Sequence, residues 1–224
     1  MAIKVVNDQI AAQTAKYLLE VEAVQLRPND PFIWASGWKS PIYCDNRLTL
    51  SFPEVRTFIA KSLAQIIKQQ FPDVEAIAGV ATAGIPQGAL VASELNLPML
   101  YVRSKAKGHG MTNLIEGKII TNQKVIVIED LVSTGGSSLK AVQDLKDNGI
   151  IVLGMAAIFN YGFKKATDNF KNANTELICL SDYTHLIKLA VEKNYVAKED
   201  VDTLTEWRND PSTWKKENKR KLMS

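Results

Sequence analysis

The period of the apolar positions changes along this chain. Near the start, Ile10, Ala11, Leu18, Val21 and Val24 recur at helical spacing, which predicts an amphipathic helix opening after Asn7 or Asp8. The next stretch, PFIWASGWKSPIYCDNRL, mixes prolines, a glycine and alternating bulky residues, and predicts an appendage of short strands and turns. Ser51 with Glu54 reads as a capping box, and Val55, Phe58, Ile59, Leu63, Ile66 and Ile67 carry a helix to about Gln70. From there short runs that are apolar throughout alternate with helices: AIAGVA (76–81), PMLYV (98–102), VIVIE (125–129), IIVLGMAAIF (150–159) and ELICL (176–180). Strands covered on both faces need such runs, so the pattern predicts an α/β protein with a parallel sheet between helical layers. Helices are expected through ALVASEL and from about Ser137 to Asp147, and the segments THLIKLAVEKN and KEDVDTLTEW add two more late in the chain.

At 224 residues, one domain with additions is the simplest organisation: an N-terminal helix and hood over about 1–50, a core sheet over about 72–182, and C-terminal helices with a tail over about 183–224. Apolar residues are 46% and charged residues 23%, ordinary for a globular chain. The net charge of +3 lies entirely in the segment from Glu206 to Ser224, which reads as a solvated basic tail rather than a nucleic-acid arm. Cys44 and Cys179 stand far apart with only His109 and His185 in the chain, which argues against a structural zinc site and for two reduced thiols. MAIKVVNDQI lacks an apolar signal core, and the longest apolar run is too short to span a bilayer, so a cytoplasmic protein without membrane contact is expected.

The chemistry concentrates in VIVIEDLVSTGGSS. An apolar strand runs into Glu129 and Asp130, then two apolar residues, then a small polar run leading into a helix. Open α/β sheets bind ligands at such strand ends. Gly135 and Gly136 permit positive φ and close approach of an anion, Ser133, Thr134 and Ser137 offer hydroxyls, and a helix start offers unpaired N–H groups. No Lys follows the glycines and no G-x-G-x-x-G occurs, which sets aside ATP-loop and dinucleotide readings. Two carboxylates beside a monophosphate cradle can accept hydrogen bonds from vicinal sugar hydroxyls or touch a hard cation, so the ligand that fits is a ribose 5-phosphate. A second basic element, RSKAKGHG, puts Arg103, Lys105, Lys107 and His109 on alternate positions among glycines, as a cationic lid would need.

The segment EDLVSTGGSS resembles the PRPP-binding motif of the type I phosphoribosyltransferases. That resemblance implies a Rossmann-like parallel sheet flanked by helices, PRPP as substrate and Mg²⁺ as the ion chelating it. RSKAKGHG, FIWASGWKSPIYCDNR, GVATAGIP and EGKI further resemble the orotate-using branch of the family, a likeness extending over most of residues 10–190. It implies transfer of the phosphoribosyl group from PRPP to orotate, in a homodimer whose lid reaches the partner's site. On this likeness Glu129 and Asp130 face the ribose hydroxyls and possible metal, Ser133 to Ser137 face the 5-phosphate, and Arg103, Lys105, Lys107 and His109 face the pyrophosphate. Lys107, His109, Asp130 and Arg103 are the expected catalytic groups.

Some members carry a Lys where Ala35 stands and a Tyr-Lys pair where Thr82 and Ala83 stand. The Arg expected on orotate after the next strand is replaced by AIFNYGF. Arg47 is the candidate for that charge, with Ser36, Gly37, Lys39, Tyr43 and Ser133 shaping the orotate pocket. A purine-base enzyme would share the PRPP loop but lack the appendage, and a regulator that only senses PRPP would not need the lid.

Overall fold

The computed structural model describes residues 3–34, 37–104 and 114–215. It opens with strand β1 (Ile3–Val5) and helix α1 (Asp8–Glu20), then a hood of β2 (Val24–Leu26), β3 (Phe32–Ile33), β4 (Lys39–Ser40), β5 (Ile42–Cys44) and a 3-10 turn over Asn46–Ser51. The central portion runs α2 (Pro53–Gln70), β6 (Ala76–Val80), α3 (Gly84–Leu95), β7 (Met99–Val102), β8 (Ile115–Glu116), β9 (Lys124–Val132), α4 (Gly136–Asp147), β10 (Ile151–Asn160), α5 (Lys164–Asn172) and β11 (Leu177–Asp182). Helix α6 (Tyr183–Glu192), a 3-10 turn over Lys198–Asp200 and α7 (Val201–Asn209) follow.

Seven strands form one sheet in the order β1-β11-β10-β9-β6-β7-β8, parallel except for the antiparallel β7–β8 pair at one edge. Each apolar run divides its residues between two cores, as the strand's period of two requires. Ile126, Ile128, Ile77, Ile158 and Ile178 point into the layer of α1, α2 and α6. Val125, Val127, Ala78, Ala157 and Cys179 point into the layer of α4 and Phe170 of α5. Both faces are dry, so a run without polar interruption is what these positions demand. The hood is two small antiparallel pairs, β2 with β5 and β3 with β4. Trp34 ties it to the main body: its ring lies 5.6 Å from that of buried Trp207 on α7 and 5.7 Å from that of Tyr161 after β10.

Four details differ from the sequence expectation. Ser51 is not an N-cap: it ends the 3-10 turn, and α2 starts at Pro53 with no side-chain cap, because proline presets the helical φ and has no N–H to satisfy. Strand β1 was not expected; three residues are too few to show a period, and its pairing with β11 fixes it. Helix α5 was not expected either, since it buries only Ala166 and Phe170. The presumed solvated tail from Glu206 begins inside α7, where Trp207 is fully buried, and Trp214 also packs into the core with its indole N–H donating to Thr203 Oγ1 at 3.2 Å. By contrast, Asn7 caps α1 as expected, its side chain accepting from the Ile10 N–H at 2.9 Å.

Helix α3 sits unusually close to the strands it crosses. A Cβ on Gly84 would lie 2.4 Å from the Ile128 carbonyl oxygen, and one on Gly79 would lie 2.6 Å from the Gly84 carbonyl oxygen. Both obstacles are backbone and cannot rotate away. Gly84→Ala is therefore expected to cost about 2–3 kcal/mol as an overpacked substitution. Thermal unfolding should show a melting temperature lower by roughly 5–10 °C; an unchanged melting temperature would show that α3 can lift off the sheet freely.

Candidate active site

The strand order reverses direction between β6 and β9: β7 and β8 lie beyond β6, whereas β10, β11 and β1 lie beyond β9. Loops leaving the two strands diverge there, which opens a crevice at their carboxyl ends. A cavity of about 350 Å³ occupies it, lined by Cys44, Asp45 and Arg47 of the hood, by Val80 to Ala83 after β6, by Glu129, Asp130 and Leu131 of β9, and by Ser137. A wider hollow of about 520 Å³ lies between Arg27 and Asp200, but the crevice is where buried acids meet a helix start.

The turn from β9 into α4 is shaped by Gly135, the N-cap residue, at φ +79°. A Cβ there would be strained by that φ and would also stand 2.5 Å from the Phe170 ring. Gly136 has an ordinary φ and open space where a Cβ would be, so only one of the two glycines is needed for the turn's conformation; the other keeps the approach clear. No side chain caps α4. Its first N–H groups therefore remain free to bind an anion, to which the helix dipole adds about 0.3–1 kcal/mol.

Glu129 is 7% exposed. Burial, reinforced by the adjacent Asp130 charge and a hydrogen bond between the two carboxyls, pushes its pKa up to about 8. Burial raises Asp130 as well, but the same hydrogen bond and the Leu131 N–H favour its charged form. Both carboxyls are therefore pushed toward the protonated form, with burial the leading cause for each. Ser138 Oγ donates to Glu129 Oε2 at 3.0 Å, and the Asp130 N–H donates to Oε1 at 3.1 Å. From the hood, fully buried Asn46 donates its amide to the Asp130 carbonyl at 2.7 Å. Beside them burial pushes the Cys44 thiol well up, so it stays protonated; both cysteines are free thiols.

The structure gathers Arg47, Glu129, Asp130 and Ser137 around the crevice. Ser133 to Gly136 form the turn above it. Arg47 has its fork on Asp45, with Nε and Nη2 each 2.7 Å from a carboxylate oxygen. Arg103 directly follows β7, its Nη1 3.3 Å from Glu116 Oε1. Gly37 makes the β3–β4 hairpin at φ +81°, Lys39 lies opposite Ile33 in that hairpin, and the Tyr43 ring is 5.6 Å from that of Phe32. Ser36, Lys105, Lys107 and His109 lie outside the described residues. Three contributors went unread in the sequence: Asn46, Ser138, and Asn169, which donates to the Thr134 carbonyl at 2.9 Å. Ser138 was legible as one more hydroxyl after the glycines, but nothing in the sequence marks the two asparagines. Among the described residues no cluster of three or more His, Cys, Asp or Glu side chains surrounds a metal position. The donor set suits a cation carried by a ligand's own oxygens and touched by one or two carboxylates.

An acid pair at a switch point, running into a glycine turn and an open helix start, is the arrangement that the resemblance to the type I phosphoribosyltransferases leads one to expect. A family model for the phosphoribosyl transferase domain matches residues 50–185. An orotate phosphoribosyltransferase of Cytophaga hutchinsonii is 61% identical over 204 residues, covering 91% of this chain and 98% of that one. One from Listeria innocua is 59% identical, covering 92% and 99%. The crystal structure of orotate phosphoribosyltransferase from Aeropyrum pernix superposes with a TM-score of 0.70 at 28% identity, covering 82% of this chain and 99% of that one. This chain belongs to the orotate phosphoribosyltransferases.

The raised Glu129 pKa makes a testable demand on stability. Folded Glu129 keeps its proton to about pH 8, whereas a solvated glutamate releases it near 4.5. Between those values the folded state binds more protons than the unfolded one, so stability is greatest at the acid end and falls as pH rises through the window, by at most about 1.4 kcal/mol per pH unit. Denaturant unfolding of the ligand-free protein from pH 5 to 8.5 should show this decline, and Glu129→Gln should flatten it. The same slope in both proteins would remove Glu129 as its source.

Proposed function

We propose that the protein transfers the 5-phosphoribosyl group of PRPP to orotate, giving orotidine 5′-monophosphate and pyrophosphate in pyrimidine synthesis. The observation that carries this reading is the junction of β9 with α4: an adjacent pair of hydrogen-bonded carboxyls, next to a turn whose N–H groups have no side-chain cap. In the reaction the bond from the anomeric carbon to the pyrophosphate oxygen breaks, and its electron pair leaves with pyrophosphate. A new bond forms from a ring nitrogen of orotate to that carbon, and the proton that nitrogen gives up is taken by the departing pyrophosphate or by solvent. Asp130 and Glu129 accept from the ribose hydroxyls, and the Asp130 charge favours the cationic character that develops at the anomeric carbon. Ser133, Thr134, Gly135, Gly136 and Ser137 hold the 5-phosphate.

Lys105, Lys107 and His109, with Arg103 at the lid's base, bring positive charge to the departing pyrophosphate and keep water from the sugar centre. Ser36, Gly37, Lys39, Tyr43, Arg47 and Ser133 form the orotate side, and Arg47 would exchange Asp45 for the base's carboxylate. Phosphoribosyltransferases of this family generally use Mg²⁺ with PRPP. Bound on PRPP, the ion would neutralise the leaving group's charge, and Glu129 and Asp130 are the side chains placed to touch it. The likeness of RSKAKGHG to the family's lid supports a homodimer with shared sites and one catalytic domain over 1–224. No helix among the described residues is long and apolar enough to cross a membrane, and the two free thiols suit a cytoplasmic enzyme.

The test is orotate consumption in the presence of PRPP and Mg²⁺, followed as loss of orotate absorbance. Turnover of hypoxanthine or adenine in place of orotate would overturn the assignment. Lys107→Ala should lower kcat by about 10²–10³, the scale of removing one preorganised charge-stabilising group. An unchanged kcat would remove the lid from the mechanism.

A further inference from the structure

Helix α5 does not line the crevice, yet it makes two contacts with the back of the phosphate turn. The Phe170 ring fills the space a Cβ on Gly135 would need, and Asn169 Nδ2 lies 2.9 Å from the Thr134 carbonyl oxygen. A carbonyl can only accept, so the amide must present its nitrogen there. In a trans peptide the carbonyl of one residue and the N–H of the next point in opposite directions. Drawing the Thr134 oxygen toward α5 therefore turns the Gly135 N–H away from α5. A second amide acts on a carbonyl nearby: Asn46 donates to the Asp130 carbonyl at the end of β9.

We propose that Asn169 is a positioning residue for phosphate recognition: it fixes the Thr134–Gly135 peptide so that the Gly135 N–H is aimed at the 5-phosphate before substrate arrives. The inference rests on the assignment of this turn to the 5-phosphate, and the two can fail separately. Without Asn169 the peptide is free to rotate, and part of the binding energy goes into fixing it again. Phosphate-bearing ligands should then bind less well, while orotate, held by the hood, should not.

The experiment compares wild type, Asn169→Ala and Asn169→Asp by steady-state kinetics with PRPP and orotate, and by titration calorimetry with ribose 5-phosphate. Aspartate keeps the shape but, ionised, cannot donate to a carbonyl. Both variants should raise the KM for PRPP and the dissociation constant for ribose 5-phosphate about tenfold, with the KM for orotate within twofold of wild type. Equal changes in both KM values together with a lowered melting temperature would show a merely structural role and overturn the proposal, as would wild-type constants in either variant. A wild-type protein that turns over orotate but does not bind ribose 5-phosphate would overturn the phosphate assignment itself.

Discussion

The placement of two adjacent carboxyl groups, one buried and one half-buried, at the end of the central strand is the constraint on which the rest of the structure depends. Removing a charged group from water is costly unless it is neutralised or hydrogen-bonded. Here both remedies operate: burial raises the Glu129 pKa to about 8, favouring its neutral form, and Ser138 and the Asp130 N–H donate to the Glu129 oxygens. What remains is one carboxylate with unused acceptor capacity, facing a crevice. Vicinal hydroxyls are suitable partners because they donate without adding a further charge.

The surrounding elements hold that pair in register with the turn. Asn46 reaches from the hood to the Asp130 carbonyl, and the same 3-10 turn is braced by Thr49, which donates to the Asn46 carbonyl at 2.6 Å and accepts from Gln87 of α3 at 3.3 Å. Hood, α3 and β9 are thereby joined by a buried polar chain whose geometry is more specific than apolar packing. On the opposite side Phe170 and Asn169 back the phosphate turn. The aromatic cluster of Trp34, Tyr161, Phe163 and Trp207 fixes the hood to α7 and to the segment after β10. The hood, α3 and the β9–α4 turn are distant in sequence, and these contacts join them into one surface.

Much of this was legible in the sequence where many residues report the same constraint. The five apolar runs read as strands covered on both faces because most of their positions are buried, with exposure only toward some run ends such as Pro98 and Ile151, and the acid pair with its glycine turn was legible because nothing structural requires both. Elements with few buried residues were not legible. Strand β1 contributes three residues, and α5 buries two side chains, so neither sets up a period. The Ser51–Glu54 spacing satisfied a capping pattern that Pro53 made unnecessary. Asn46 and Asn169 act through a single amide on a carbonyl brought close by the fold, a relation that sequence spacing does not carry.

The central claim is that uncapped N–H groups at the start of α4 grip a sugar's terminal phosphate while the acids hold its hydroxyls. A crystal structure with orotidine 5′-monophosphate tests it most directly. The account predicts phosphate oxygens within about 3 Å of backbone nitrogens between Thr134 and Ser138, and ribose hydroxyls at similar distances from Asp130 and Glu129. A nucleotide bound with its phosphate elsewhere, or with those carboxylates turned from the sugar, would contradict it.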